Sequence, residues 1–255
     1  MKALTFDPAT DTFTIRDLAV PQPGPGDVLV RVDACGLNPV DAKITRWKAM
    51  VPEMDASWTP GLDVSGQIAG LGPGVEGWSV GDRVLYHGDM LRPHGGLAEF
   101  AIHRAGTLIA HPPVAGILAA ATPCAGWTAW RALHDKLRLG REHSFFVAGG
   151  SGGVGSFAIQ IASGLGLRQI IATCSAKNHA YVRSLGATSA IDYRSGDVAA
   201  RVREITDGWG WTGHSMPSGL TRISRSPRRW RSRARWSSWW MTSVRTNTGT
   251  FFSAA

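Results

Sequence analysis

The sequence predicts a β-rich domain, then a partial doubly wound parallel α/β domain, then an irregular C-terminal tail. Three observations carry this. Residues 1–125 hold short runs of β-branched and apolar residues separated by Gly/Pro turns. From about residue 126, strand-like runs alternate with helical ones, the pattern of βαβ units on a parallel sheet. A glycine-rich loop, "AGGSGGVGS" (148–156), follows one such strand and opens a helix. The expected domains are 1–125, 126–210 and a tail over 211–255.

In the first domain the strand candidates are "TFTIRDL", "DVLVRVDACG", "SGQIAGLG", "DRVLYHG" and "LAEFAIH". The stretches "PQPGPGD", "GLGPGVEGWSVGD" and "RPHGG" between them are turn signals. Many short strands closed by such turns suggest a barrel or sandwich. In the second domain "SFFVAG", "RQIIATCS" and "TSAIDY" are strands of the buried type. The helices between them are "GGVGSFAIQIASGLG", "KNHAYVRSLGA" ending at Gly186, and "DVAARVREITDG" ending at Gly208.

Within the loop, Gly150, Gly152 and Gly155 fit G-x-G-x-x-G. The strand before and the helix after make this a dinucleotide-binding signal rather than a plain turn. Gly150 would allow the tight turn, Gly152 the approach of backbone to a pyrophosphate, and Gly155 close packing of helix on strand. The helix N-terminus offers free N–H groups and a positive dipole to phosphate. An acid about 20 residues after the glycines would bind the ribose 2′-hydroxyl of NAD. Here the second strand ends in "TCSAKNH", with Ser175 and Lys177 in that region. A hydroxyl and a cation suit a 2′-phosphate, which favours NADPH; an ordinary surface lysine at a helix start is the competing reading of Lys177.

The net charge of +8 is unevenly distributed. Residues 211–255 hold eight arginines, no lysine and no acid, so residues 1–210 are balanced and the tail carries the whole excess. The balance gives no support to a basic body surface that attracts phosphate or membrane. The three cysteines, Cys35, Cys124 and Cys174, have no Cys-x-x-Cys spacing, and their odd number argues against a disulfide framework. "MKALTFDPATDTF" lacks the apolar run of a signal peptide. No apolar stretch reaches the ~20 residues of a membrane helix. The expected setting is a reducing cytoplasm.

Taken together, "CGLNPVDAK" (35–43), "PGLDVSGQI" (60–68), "VGDRV" (80–84), "GGLAEFA" (95–101), "GWTAW" (126–130), "AGGSGGVGS" and "LGATSAIDYR" (185–194) resemble one family. It is the medium-chain dehydrogenase/reductase superfamily, in its zinc-free quinone oxidoreductase branch. The resemblance runs from Met1 to about Gly210. It implies a GroES-like catalytic domain, then a Rossmann domain, with the nicotinamide between them. By motif position it puts Asn38 and Asp41 on the substrate side and Thr128 near the nicotinamide. It brings Lys177 and Tyr193 together with Ser175 around the 2′-phosphate. Gly153 and Val154 would meet the pyrophosphate through backbone. Intact relatives are often dimers through the Rossmann sheet edge.

Zinc-dependent relatives have Cys at the position of Asn38 and His at that of Leu62; Cys124 alone matches a ligand position. One ligand cannot hold a catalytic zinc, so no metal is expected and Cys35 and Cys124 read as packing residues. Alcohol oxidation needs a Lewis acid, whereas hydride delivery to a quinone or an α,β-unsaturated carbonyl uses the acceptor's own conjugation. Such a substrate is expected, and a zinc-type alcohol dehydrogenase is disfavoured. The Trp and Met residues of "WKAMVPEMDASWTP" (47–60) could line an apolar pocket or fill the core, and the sequence does not choose.

After "REITDGWG" a relative would enter a fourth strand with a pattern like "GVDVVLDTVG"; this chain has "WTGHSMPSGL". Reading the implied codons one base earlier restores that pattern from Gly210 to Ser218, and turns Trp236–Trp240 into a strand-like run. A frameshift near Trp209–Gly210 explains the arginine-rich, acid-free tail. It predicts impaired activity, a disordered tail, and the first Rossmann strand left as an exposed edge. Two further readings are a non-catalytic remnant and non-specific nucleic-acid binding by the tail, the latter disfavoured.

Overall fold

The structure is a computed structural model that describes residues 1–207, 211–215, 220–223, 244–245 and 251–252. The chain divides into two units, Met1–Cys124 and Ala125–Ala255.

The first unit begins with an antiparallel hairpin of β1 (Lys2–Asp7) and β2 (Thr12–Asp17). On β1, Ala3, Thr5 and Phe6 are buried, while β2 is exposed along its length. The main sheet is antiparallel and contains β3 (Asp27–Gly36), β4 (Asp63–Leu71), β5 (Arg83–His87), β6 (Phe100–Arg104) and β7 (Ile109–Ala110). Its order is β6-β3-β4-β5-β7. Val28, Val30, Val64, Ile68, Val84 and Tyr86 pack into one core. Each buried aliphatic side chain there contributes about 1.5–3 kcal/mol. The Ser65 hydroxyl donates to Gly116 O at 2.8 Å and ties β4 to α2 (Gly116–Ala120).

Within 47–60, Val51, Met54 and Trp58 are buried, while Met50 is 49% exposed. Val51, Met54 and Trp58 pack with Phe6 and with Ile44 of α1 (Ile44–Trp47), and Trp58 is 3% exposed. Trp58 thus serves the core and also lines a concave site.

The second unit carries β8 (Ser144–Val147), β9 (Gln169–Cys174) and β10 (Ser189–Asp192), all parallel, in the order β10-β9-β8. Successive residues face opposite sides. Phe145, Val147, Ile170 and Ala172 join the core formed with α3 (Pro123–Trp130) and α4 (Gly153–Gly164). Phe146 and Ile171 pack on the other face with Val202 of α6 (Val198–Ile205). Both faces are covered, which is why these strands read as continuous apolar runs. α5 (His179–Ser184) links β9 to β10, and Asp197 caps α6 by accepting from Ala199 N at 2.8 Å.

One expectation is corrected here. β8 is not an exposed edge. β12 (Leu220–Ile223) pairs with it antiparallel, Leu220 opposite Val147 and Ile223 opposite Ser144, and β11 (Trp211–Ser215) pairs with β12. The reason is physical: an apolar edge strand presents unpaired N–H and C=O groups, and any extended segment nearby can satisfy them. Residues 211–215 and 220–223 are thus strands, not irregular tail. Trp236–Trp240 and most of the arginines lie outside the described residues. Among the described residues no helix is long and apolar enough to cross a membrane.

Candidate active site

The polar centre of the first unit follows from strand register. In the β4–β5 pair Asp63 stands opposite His87, and in the β3–β4 pair it stands opposite Gly36. Asp63 is 2% exposed. Its carboxylate accepts from His87 Nδ1 at 2.6 Å, from Asn38 Nδ2 at 2.9 Å, and from Cys124 N at 3.0 and 3.2 Å. The Cys124 N–H belongs to the first turn of α3, so the carboxylate also meets the positive end of that helix. A buried carboxylate is tolerable only with such partners.

Asn38 ties two acids together. Its side chain donates to Asp63, and its backbone N–H donates to Asp41 Oδ2 at 2.7 Å. Asp41 is 6% exposed, and its Oδ1 has no hydrogen-bond partner among the described residues. Burial pushes its carboxyl above the ordinary carboxylate range, the Asn38 N–H opposes this, and Asp63 adds to it. Burial and then the nearby carboxylates push the Cys35 thiol up to about 12 and the Cys124 thiol up to about 11. Neither is an activated thiolate.

Asp41, Trp58, Tyr86, Arg92, His94 and His103 line a concave site beside this cluster. Three buried polar atoms without partners among the described residues, Asp41 Oδ1, Tyr86 OH and His94 Nδ1, belong to residues of that lining. Composition and periodicity missed Asp63 and His87. They stand inside the quoted "PGLDVSGQI" and the strand "DRVLYHG", but only cross-strand register brings them together. The positions where zinc-dependent relatives carry Cys and His hold Asn38 and the buried Leu62, an amide and an alkyl chain. That ligand set does not fit zinc.

In the second unit the glycine loop joins β8 to α4. The tight turn falls on Gly149, with φ +71°, and not on Gly150 as the motif suggests. Gly150 N donates to Thr173 O at 2.8 Å and Gly149 N to Thr173 Oγ1 at 3.1 Å, which moors the loop to β9. Gly155 allows close packing: a Cβ there would lie 2.3 Å from Gly149 O and 2.8 Å from Gly150 Cα. Gly152 and Gly153 are exposed and Val154 is half-buried at the start of α4, whose cap residue Gly152 supplies no side-chain bond. The first N–H groups of α4 are therefore uncapped by any side chain of the loop.

Past β9, Ser175 is buried and Lys177 exposed. Cys174 and Asp192 are register partners, so Ser175 and Tyr193 leave the sheet at the same end. Tyr193 is exposed, with the Arg194 guanidinium 5.2 Å from its ring centre. Asn178 Nδ2 donates to Ser151 Oγ at 3.0 Å and braces the loop from this side, a contact sequence reasoning did not reveal. Thr128 is half-buried on α3, within the second unit.

Two family models match: the alcohol dehydrogenase GroES-like domain over residues 24–113 and the zinc-binding dehydrogenase domain over residues 153–219. A chloroplastic quinone-oxidoreductase homolog of Spinacia oleracea is 33% identical over 202 residues, 75% of this chain and 60% of that protein. The chain belongs to the medium-chain dehydrogenase/reductase superfamily, in its quinone oxidoreductase-like branch. This is a family of oxidoreductase enzymes. The trans-enoyl reductase pgmF of Aspergillus terreus, a further relative, is 36% identical over 190 residues, 71% of this chain and 53% of that protein. Among solved structures, a mycobacterial protein complexed with NADPH has a TM-score of 0.69 and 30% identity, covering 82% of this chain and 64% of its own. This member of the superfamily spans 60% and 53% of the length of the two curated relatives.

Proposed function

We propose that this chain has the parts of an NADPH-dependent reductase that passes hydride to a quinone or an α,β-unsaturated carbonyl, without metal assistance. The observation that carries the reading is the pairing of the glycine loop with an acid-free end of β9. Gly153, Val154 and Gly155 offer backbone N–H groups to the pyrophosphate. Lys177, Ser175 and Tyr193 receive the 2′-phosphate, where an acid selective for NADH is missing. Bound NADPH supplies the hydride. Thr128 orients the nicotinamide, while Asn38 and Asp41 face the acceptor. Asp63 holds Asn38 in one rotamer, so the remaining amide groups of Asn38 present a fixed edge to the acceptor oxygen. Positioning of this kind is the main contribution a protein makes to hydride transfer. The named activities of the spinach and Aspergillus relatives support a conjugated acceptor.

The loss of acids and the arginine-rich composition after Gly210 lead us to expect slow turnover. The test is binding and oxidation of NADPH and NADH with a panel of quinones and enones. It is run on this chain and on a version with the reading frame corrected near Trp209. Tighter NADH than NADPH binding would reject the cofactor assignment. Alcohol oxidation exceeding quinone reduction in the corrected version would reject the substrate class.

A further inference from the structure

Asp63 is sealed from solvent, but the ring it holds is not: the His87 side chain is 21% exposed, against 2% for Asp63. A carboxylate only accepts hydrogen bonds, so the 2.6 Å contact puts a proton on His87 Nδ1 and fixes the tautomer of the neutral ring. Nε2, on the other side of the ring, has no hydrogen-bond partner among the described residues and is not a buried atom. It lies on the edge that solvent reaches. We propose that His87 is the proton donor of the reduction, passing the Nε2 proton to the oxygen of the conjugated acceptor, with Asp63 as the residue that positions its ring.

Strand geometry sets the ring beside the residues assigned to the acceptor. His87 ends β5, and Gly88 N prolongs the ladder by donating to Leu62 O at 2.7 Å. Gly88 and Asp41 both line the concave site. Asn38 and His87 hold the two oxygens of one carboxylate, Oδ2 and Oδ1, so amide and imidazole stand side by side. A base oriented by a buried acid, with its second nitrogen free, is the arrangement of an acid–base pair. The neighbouring titratable groups suit the task less. The Cys124 thiol, within 4.8 Å of the pair, is pushed up to about 11 and the Cys35 thiol to about 12, so both hold their protons. Asp41 and His103 are each 6% exposed, and a proton given up there is not readily replaced from solvent.

The inference rests on the reductase reading, and the step balances within it. The acceptor carbon takes hydride from NADPH, a C–H bond forms, and the displaced π pair moves onto the conjugated oxygen. His87 enters carrying a proton on each nitrogen, its charge opposite that of Asp63. The Nε2–H bond breaks as the O–H bond forms, giving a hydroquinone or an enol. The ring is left neutral, with its Nδ1 proton still on Asp63, and Nε2 takes its next proton from solvent.

The test titrates 2-naphthol, a phenol that mimics the reduced acceptor, into the full chain labelled with nitrogen-15 histidine. Long-range proton–nitrogen spectra separate Nδ1 from Nε2, and His87→Gln identifies the signals. The His87 Nε2 resonance should move farther than Nδ1 as naphthol binds. An unmoved Nε2 at millimolar naphthol on folded protein overturns the proposal. In Asp63→Asn the neutral His87 ring should lose its single tautomer; a ring still locked with its proton on Nδ1 would mean that Asp63 does not position it. Circular dichroism checks that each variant is folded. With an enone as acceptor, His87→Gln should lower kcat about a hundredfold while NADPH binding is unchanged, and added imidazole should restore part of the rate. An unchanged kcat overturns the proposal. If the wild-type chain reduces neither quinones nor enones, the reductase reading has failed, and the naphthol titration decides the role of His87 by itself.

Discussion

His87 and Asp63 face each other across β4 and β5, with Nδ1 and Oδ1 2.6 Å apart. Asp63 also accepts from Asn38 and from the Cys124 N–H, so one buried carboxylate joins two strands, a loop and a helix start. Replacing it with Ala strands all three donors. Asp63→Ala should lose about 3 kcal/mol of unfolding free energy, since buried groups deprived of their partners cost about 1–3 kcal/mol each and do not simply add. Denaturant unfolding reads this, and a loss below about 1 kcal/mol would mean that the network is slack.

His103 gives the fold an acid limit. It is 6% exposed, stacks on Tyr86 at 4.0 Å between ring centres, and shares a 2.8 Å hydrogen bond with Thr107 Oγ1. Burial pushes its pKa down to about 4, helped by Arg92, His87 and Arg104 and opposed by Asp27. An unfolded histidine titrates near 6.5. Above that pH both states are neutral and the contribution is fully present. As pH falls from about 6.5 to 4 the unfolded chain gains a proton that the folded one refuses, so stability falls, by roughly 3 kcal/mol in all. His103→Phe should remove this slope. If wild type and variant lose stability in parallel between pH 7 and 4.5, His103 is not the cause.

Gly155→Ala should separate α4 from the loop, because the added Cβ would meet Gly149 O at 2.3 Å. Overpacking of this kind costs about 1–3 kcal/mol. Gly152→Ala meets Gly149 O only at 3.3 Å and should leave thermal stability nearly unchanged. Comparing the two melting temperatures tests the assignment of close packing to Gly155.

Lys177→Ala should weaken NADPH binding about tenfold, the loss of one charge-assisted contact, with NADH affinity unchanged. Fluorescence titration of both cofactors measures this. Equal weakening of the two would move Lys177 away from the 2′-phosphate.

The sequence was most legible where local pattern decides the structure. The strand run "SFFVAG" and the loop after it became β8 and α4, because an apolar run flanked by glycines has few alternatives. Asn38 and Asp41 were singled out from a motif, and the structure brings them together through the Asn38 N–H. What sequence reading could not supply was register. Asp63 and His87 are 24 residues apart, and nothing local makes them neighbours. The turn residue was misassigned by one position because a motif specifies glycines, and φ decides which of them turns. The fate of the β8 edge was also missed. Pairing there depends on backbone groups, which amphipathic pattern does not report.

The antiparallel pairing of β12 with β8 has a kinetic consequence. β8 is held on one side by the parallel β9 and on the other by a strand from the compositionally anomalous end of the chain. Successive amides of β8 point to opposite sides. In native-state hydrogen exchange the amides directed at β12 should therefore exchange through local detachment of that strand. Those directed at β9 should wait for the unit to open as a whole. The difference in protection along four consecutive residues, Ser144–Val147, measures how firmly the anomalous segment is built into the sheet.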